Sequence, residues 1–266
     1  MNSYYKFTIL GCGSSGGVPR LGNLWGNCDS KEPKNTRLRC SLLVQKFGKS
    51  GTTSVLIDTS PDMRTQLINA SVGILDGVLY THYHADHVNG IDDLRMIVMN
   101  RKKRLPVWAD LATRKRLLKC FDYIFQDMED SSYPPILELN HIKKKTLIRG
   151  SGGDICFEAI KVNHGNLDAL GFRIDDMAYI PDVLEIYDES KPLLLNLEYL
   201  IIDALRYRPH PSHAHLDKTL SWIEEFQPKQ TILTNMHNDL DYKRLQAETP
   251  ANVTPAYDGL FFEIDK

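Results

Sequence analysis

Thr81-His82-Tyr83-His84-Ala85-Asp86-His87-Val88-Asn89-Gly90 is the stretch on which the reading of this chain turns, because it packs three imidazoles and a carboxylate into six residues. An apolar run, Gly77 to Tyr80, leads into it, and Ile91, Leu94 and Val98 follow at helical spacing. In an extended chain, side chains two apart point to one side, so His82 and His84 can grip one ion. If the backbone then turns helical, Asp86 and His87 swing toward a second ion nearby. Asn89-Gly90 suits such a change from strand to helix. Imidazole nitrogens and carboxylate oxygens are the borderline ligands that suit zinc, manganese or iron. A lone histidine is most often a surface residue without a ligand role. A cluster of this density, internal and so not an affinity tag, reads as a metal-binding motif.

On the N-terminal side, Lys6 to Leu10 forms a short β-type run that ends in the glycine-rich turn Gly11-Cys12-Gly13-Ser14-Ser15-Gly16-Gly17. Residues 22–37 are polar and read as a long irregular loop. Ser41 to Lys46 and Ser54 to Asp58 predict two strands joined by the hairpin Gly48-Lys49-Ser50-Gly51, with a helix over 62–70. On the C-terminal side, Asp92 and Asp93 early and Arg101 to Arg104 late suit the dipole of a helix that starts at Ile91. A strand at Leu105 to Trp108 and a helix over 111–126 come next, and the Lys-rich residues 129–150 have no assigned element.

The second half holds short apolar strands that end in polar residues. Ile155 to Val162 ends at His164, Met177 to Ile180 at Asp182, Tyr199 to Ile202 at Asp203, and Gln230 to Leu233 near His237. Leu170 to Ile174 pairs with Met177 to Ile180 through Asp175-Asp176, and a helix runs from about Asp217 to Phe226. Two ions need more ligands than six residues supply, and His164, Asp182 and His237 are the natural candidates at strand ends. His141 follows no such strand and reads as a surface residue. His210, His213 and His215 share a proline-bearing loop, where one of them could serve as an acid. The alternation of strand-rich and helical stretches predicts an α+β sandwich. Without a linker or repeat, residues 1–266 read as a single domain.

Composition sets the outer bounds. The chain has 266 residues, 42% hydrophobic and 25% charged, with a formal net charge of −2. That near-balance argues against a large sequence-independent footprint on nucleic acid. No apolar run is long enough to span a bilayer, and Met1 to Leu10 lacks the pattern of a secretory signal. Five widely spaced cysteines, with no Cys-x-x-Cys pair, suit reduced thiols and a cytoplasmic protein.

With these residues in view, the chain resembles the metallo-β-lactamase superfamily: His82-x-His84-x-Asp86-His87 is followed in order by His164, Asp182 and His237. The resemblance implies an αββα sandwich of two mostly antiparallel sheets with helices on the outer faces. It also implies two divalent ions, zinc or manganese, with iron as a further option. Carried over residue by residue, His82, His84 and His164 would hold one ion, Asp86, His87 and His237 the other, and Asp182 would bridge them. Asp58 matches a carboxylate that the superfamily often keeps near its site. Gly11 to Pro19, Arg37-Leu38-Arg39-Cys40-Ser41 and the region from Asp203 through Leu233-Thr234 are similar to the cyclic-phosphate phosphodiesterases of phosphonate breakdown. That branch is related to the tRNA 3′-processing endonucleases.

Two departures stand out. The branch carries a Cys-rich structural zinc site, whereas Cys28 stands alone here. It also places its last ligand histidine directly after Leu-Thr, where this chain has Asn235, two residues before His237.

The function this implies is a phosphodiesterase acting on a small, cyclic phosphodiester or a nucleotide through a metal-bridging hydroxide. Asp86 joins His213 and His215 as catalytic residues, one of the two histidines acting as the general acid. Neither a membrane nor a large nucleic acid is an expected partner, and the sequence leaves room for a homodimer. The rivals are an RNA-processing endonuclease, a thioester hydrolase, di-iron redox chemistry and a non-enzymatic metal-binding protein. Gly11-x-Gly13-x-x-Gly16 formally matches a dinucleotide fingerprint, but Val18-Pro19 and a polar loop follow it instead of a helix. The basic runs at 101–104, 114–116 and 143–145 read as solvated faces. Arg37 and Arg39 are the better phosphate candidates, and Trp25 could stack on a base.

Overall fold

The first apolar run becomes strand β1 (Tyr4–Gly11), and the glycine-bounded pair becomes the antiparallel hairpin of β2 (Ser41–Gly48) and β3 (Gly51–Ile57), with Gly48 opposite Gly51. The computed structural model describes residues 3–127 and 133–266. Residues 129–132 of the Lys-rich stretch therefore lie outside the described residues. Helix α1 (Met63–Asn69) buries Met63, Gln66 and Leu67 at helical spacing and leads to β4 (Gly77–Leu79). The histidine motif opens α2 (Ala85–Val88), and a 3-10 turn connects it to α3 (Leu94–Arg101). After β5 (Leu105–Ala109), the Asp110 side chain caps α4 (Leu111–Cys120) by accepting from the Thr113 N–H at 2.8 Å; α5 (Asp122–Phe125) follows.

The stretch that the sequence leaves unassigned contains β6 (Leu137–His141) and β7 (Lys145–Ile148). His141 is exposed, as expected, but it ends a strand. The next strands are β8 (Ile155–His164), β9 (Leu167–Ile174), β10 (Met177–Ile180), β11 (Glu185–Ile186) and β12 (Tyr199–Asp203). Helix α6 (Leu216–Phe226) buries Leu216, Thr219, Trp222, Ile223 and Phe226, a single stripe at the helical period. The chain continues through β13 (Gln230–Thr234), α7 (Tyr242–Glu248) and β14 (Val253–Pro255) to β15 (Phe261–Asp265).

The chain divides into two compact units. The first consists of Met1–Leu10, Ser41–Cys156 and Phe261–Lys266 and holds a seven-stranded sheet in the order β15-β1-β2-β3-β4-β5-β6. Its core gathers Leu43, Leu56, Val78, Val107 and Leu137 of the sheet with Met63, Leu67, Leu94, Ile97 and Leu117 of the helices. Each such side chain, fully buried, contributes about 1.5–3 kcal/mol. The second unit consists of Gly11–Cys40 and Phe157–Leu260, and its strands follow the order β11-β8-β9-β10-β12-β13-β14. The architecture is α+β with two sheets, and both are mixed where the resemblance implied mostly antiparallel ones. β3 to β6 pair in parallel in the first, and β10, β12, β13 and β14 do so in the second. Parallel neighbours send their C-terminal ends to the same sheet edge, and this property places the site residues.

Candidate metal centre

In the first unit, β3 and β4 run in parallel with Ile57 opposite Leu79, so Asp58 and Thr81 leave the sheet side by side. Asp58 is fully buried and left-handed, with φ of 65°. Its carboxylate accepts from the Thr81 backbone N–H at 2.8 Å and from Thr81 Oγ1 at 2.7 Å, and it meets His87 Nδ1 at 2.7 Å. Burial pushes the Asp58 carboxyl above its usual range, and His87 and Thr81 oppose that shift.

These contacts fix where the ring protons sit. His87 donates through Nδ1–H to Asp58, and its Nε2 lies 3.5 Å from Asp86 Oδ2. Thr81 Oγ1 spends its proton on Asp58 and so accepts from His82 Nδ1–H at 3.0 Å. His82 Nε2 then presents a lone pair 3.0 Å from His84 Nδ1, a spacing that suits two nitrogens sharing a cation. His84 is still extended (ψ 150°), and α2 begins at Ala85, so the change from strand to helix falls where the motif needs it.

Gly90 holds the exit of the motif. Its N–H donates to the Thr59 carbonyl at 2.9 Å, and a Cβ there would lie 2.0 Å from the Ser60 carbonyl oxygen.

In the second unit, β10, β12 and β13 are parallel neighbours, so Asp182, Asp203 and Asn235 emerge at one edge. His164 ends β8. His164, Asp182 and His213 offer ligand atoms that all lie within 4.8 Å of one another. His164 donates through Nδ1–H to the Ser212 carbonyl at 2.6 Å, and its Nε2 lies 3.8 Å from Asp182 Oδ1. His213 Nδ1 lies 2.8 Å from Asp203 Oδ2 and 3.6 Å from Asp182 Oδ1. Asp203, fully buried, is pushed up to about 7 by burial; His213 pulls it down, and the neighbouring Asp182 adds to the rise. It also accepts from the Val183 N–H at 3.1 Å, and its carbonyl accepts from Thr219 Oγ1 of α6 at 2.6 Å.

The three loop histidines are thereby told apart. His213 belongs to the cluster, whereas His215 stands at the N-cap position of α6 without a capping bond from its side chain. His210 accepts from the Ser212 N–H at Nδ1, and its pKa is pulled down to about 4, first by burial and then by the charge of His213. His237 falls in none of the metal-binding groups among the described residues, and its Nδ1 lies 3.1 Å from Asp239 Oδ1.

Sequence reasoning passed over Asp203 as a site residue, although its place at the end of an apolar run matches that of Asp58. It also passed over Asn235 as a contact of Asp182 and His213. Arg37, a phosphate candidate from the sequence, has its guanidinium taken up by acceptors of the protein instead. It is 1% exposed, and its guanidinium donates to Leu240 O at 2.7 Å, Asn35 Oδ1 at 3.1 Å and His237 O at 3.2 Å. Cys28 stands against that same guanidinium and donates to the Leu240 carbonyl. The glycine turn serves close packing: a Cβ on Gly13 would lie 2.9 Å from Arg37 Cβ.

The donor set suits divalent cations. Both units present imidazoles whose Nδ1 atoms are tied to a carboxylate, a hydroxyl or a carbonyl, beside buried carboxylates.

Comparison with known proteins agrees with this chemistry. A family described as the beta-lactamase superfamily domain matches residues 53–236. A structure described as a new diphosphatase from the PhnP family is 34% identical, with a TM-score of 0.87, covering 100% of this chain and 99% of that one. Among curated proteins, a Porphyromonas gingivalis octanoyltransferase is 34% identical over 264 residues, and a Gemmatimonas aurantiaca ribonuclease Z is 26% identical over 124. Those matches cover 97% and 46% of this chain, which spans only 51% and 38% of the two proteins. No helix among the described residues is long and apolar enough to cross a membrane.

Proposed function

Because this chain belongs to the metallo-β-lactamase superfamily, we propose that it is a metal-dependent hydrolase that cleaves a small phosphodiester or diphosphate ester with the help of two divalent ions. The observation that carries the reading is the full-length likeness, at 34% identity, to a PhnP-family diphosphatase. The ligands we assign are His82, His84 and His164 for one ion, Asp86 and His87 for the other, and Asp182 shared between them. Zinc or manganese fits this mixture of imidazole and carboxylate. The family match from 53 to 236 runs through both compact units, which supports reading the chain as a single hydrolase domain.

When bound, the ions supply Lewis acidity toward the phosphorus ester and lower the pKa of a coordinated water. The protein supplies orientation and protons. Asp58 and Thr81 hold the rings of His87 and His82, and Ser212 holds that of His164. His213, anchored at Nδ1 by Asp203, is the residue we assign as general acid toward the leaving oxygen.

The test is turnover of bis(p-nitrophenyl) phosphate, followed by a panel of cyclic phosphodiesters and nucleoside diphosphate esters, with manganese or zinc supplied. Metal-dependent release of product from one class supports the reading. Full metal loading without hydrolysis of any phosphate ester sinks it. An octanoyl thioester belongs in the same panel, because the name of one relative points to acyl chemistry in a protein about twice this length.

A further inference from the structure

The segment leaving β13 is pinned along its backbone. Ala204 N–H donates to the Thr234 carbonyl at 3.0 Å, and Met236 N–H donates to the Cys12 carbonyl at 2.8 Å. Met236 in turn accepts from the Ser14 N–H at 3.2 Å, and His237 N–H donates to the Leu205 carbonyl at 2.9 Å. Arg37 then grips the His237 carbonyl. With these bonds on either side of Asn235, the chain cannot slip two residues to bring the His237 ring to the place of the Asn235 side chain.

Asn235 itself is 2% exposed and left-handed, with φ of 59°, a conformation that asparagine adopts more readily than most residues. Its Nδ2 lies 3.3 Å from Asp182 Oδ1 and 3.1 Å from His213 Nδ1. The carboxamide thus touches the carboxylate assigned as the shared ligand and the histidine assigned as the acid. The His237 ring meets Asp239 instead.

Resting on the two-ion reading above, we propose that Asn235 stands where the resemblance implies the last ligating imidazole, and that it is a positioning residue whose carboxamide donates to Asp182. The chain therefore holds one divalent ion tightly and the second loosely, and His237 takes no part. An imidazole offers a basic nitrogen lone pair, whereas a carboxamide offers an N–H or a weakly basic oxygen, so the ion that lacks the imidazole loses a strong ligand.

The experiment strips the full-length protein of metal and titrates it with manganese(II). Metal content is read by elemental analysis after gel filtration, and unbound ion by its paramagnetic resonance signal. About one ion per chain should survive gel filtration, with a second binding at least about tenfold more weakly. Asn235→His should bring the second ion to retention, and His237→Ala should leave both steps unchanged within about twofold. Two equally retained ions in the wild type, one of which His237→Ala removes, would overturn the proposal. If Asn235→His fails to fold, the wild-type and His237→Ala titrations decide alone by the same criteria. A wild type that retains no ion and shows no binding step would overturn the two-ion reading as well, an outcome distinct from two ions held through His237.

Discussion

At the scale of single residues, the protein uses one device twice: a buried aspartate at a strand end holds the outer nitrogen of a histidine. Asp58 does this for His87, and Asp203 for His213. If His213 is the general acid, His213→Ala should cut turnover by about 10²–10⁴ while metal content stays within error of the wild type. His215→Ala should change turnover by no more than a few-fold. Equal losses in the two variants, or loss of metal in the first, would show that the assignment is wrong. Asp258 offers a second prediction. It accepts from the Leu38 N–H at 2.7 Å and the Cys12 N–H at 3.2 Å, and desolvation pushes it up to about 7. A carboxyl raised in the folded state binds its proton there more tightly than in the unfolded chain. Stability is therefore lost as pH rises from about 4 to about 7. Because the side chain keeps partial exposure, the loss should be about 1–2 kcal/mol. The melting temperature of the wild type, relative to Asp258→Asn, should fall between pH 5 and pH 7.5; a constant difference would refute the account.

At the scale of elements, parallel pairing gathers the site residues within each unit. The step from β4 through His84 to α2 works only because Gly90 lets the chain close on the segment after β3. Gly90→Ala places a methyl group against a backbone carbonyl, so it should cost about 2–4 kcal/mol and lower metal retention along with the melting temperature. A variant with unchanged stability and metal content would mean that the loop has room to shift. The glycines at 11–17 resemble a nucleotide loop on paper. Their surroundings show otherwise, because Val18 bridges to Arg37 and no helix follows.

At the scale of the whole molecule, ion binding is coupled to folding, since ligands ordered in the native chain are scattered in the unfolded one. Manganese or zinc at one hundred times its dissociation constant should stabilise the protein by about 2.7 kcal/mol, read as a rise in melting temperature that a chelator reverses. An unchanged melting temperature at saturating metal would argue against a native metal site. The sequence by itself determined the metal motif, the superfamily, the α+β class, most strands up to β5 and then β8, β9, β10, β12 and β13, because each is written in local spacing: alternation, helical period, and ligands two and three residues apart. It was silent on β6, β7 and α7, whose polar and Lys-rich composition carries weak periodicity. Only the tertiary structure decided that His213 and not His215 joins Asp182, that Arg37 braces a loop, and that Asn235 reaches Asp182. Those choices depend on which parallel strand ends meet at one edge and on backbone bonds between residues as far apart as Cys12 and Met236, and distance along a chain does not encode such contacts.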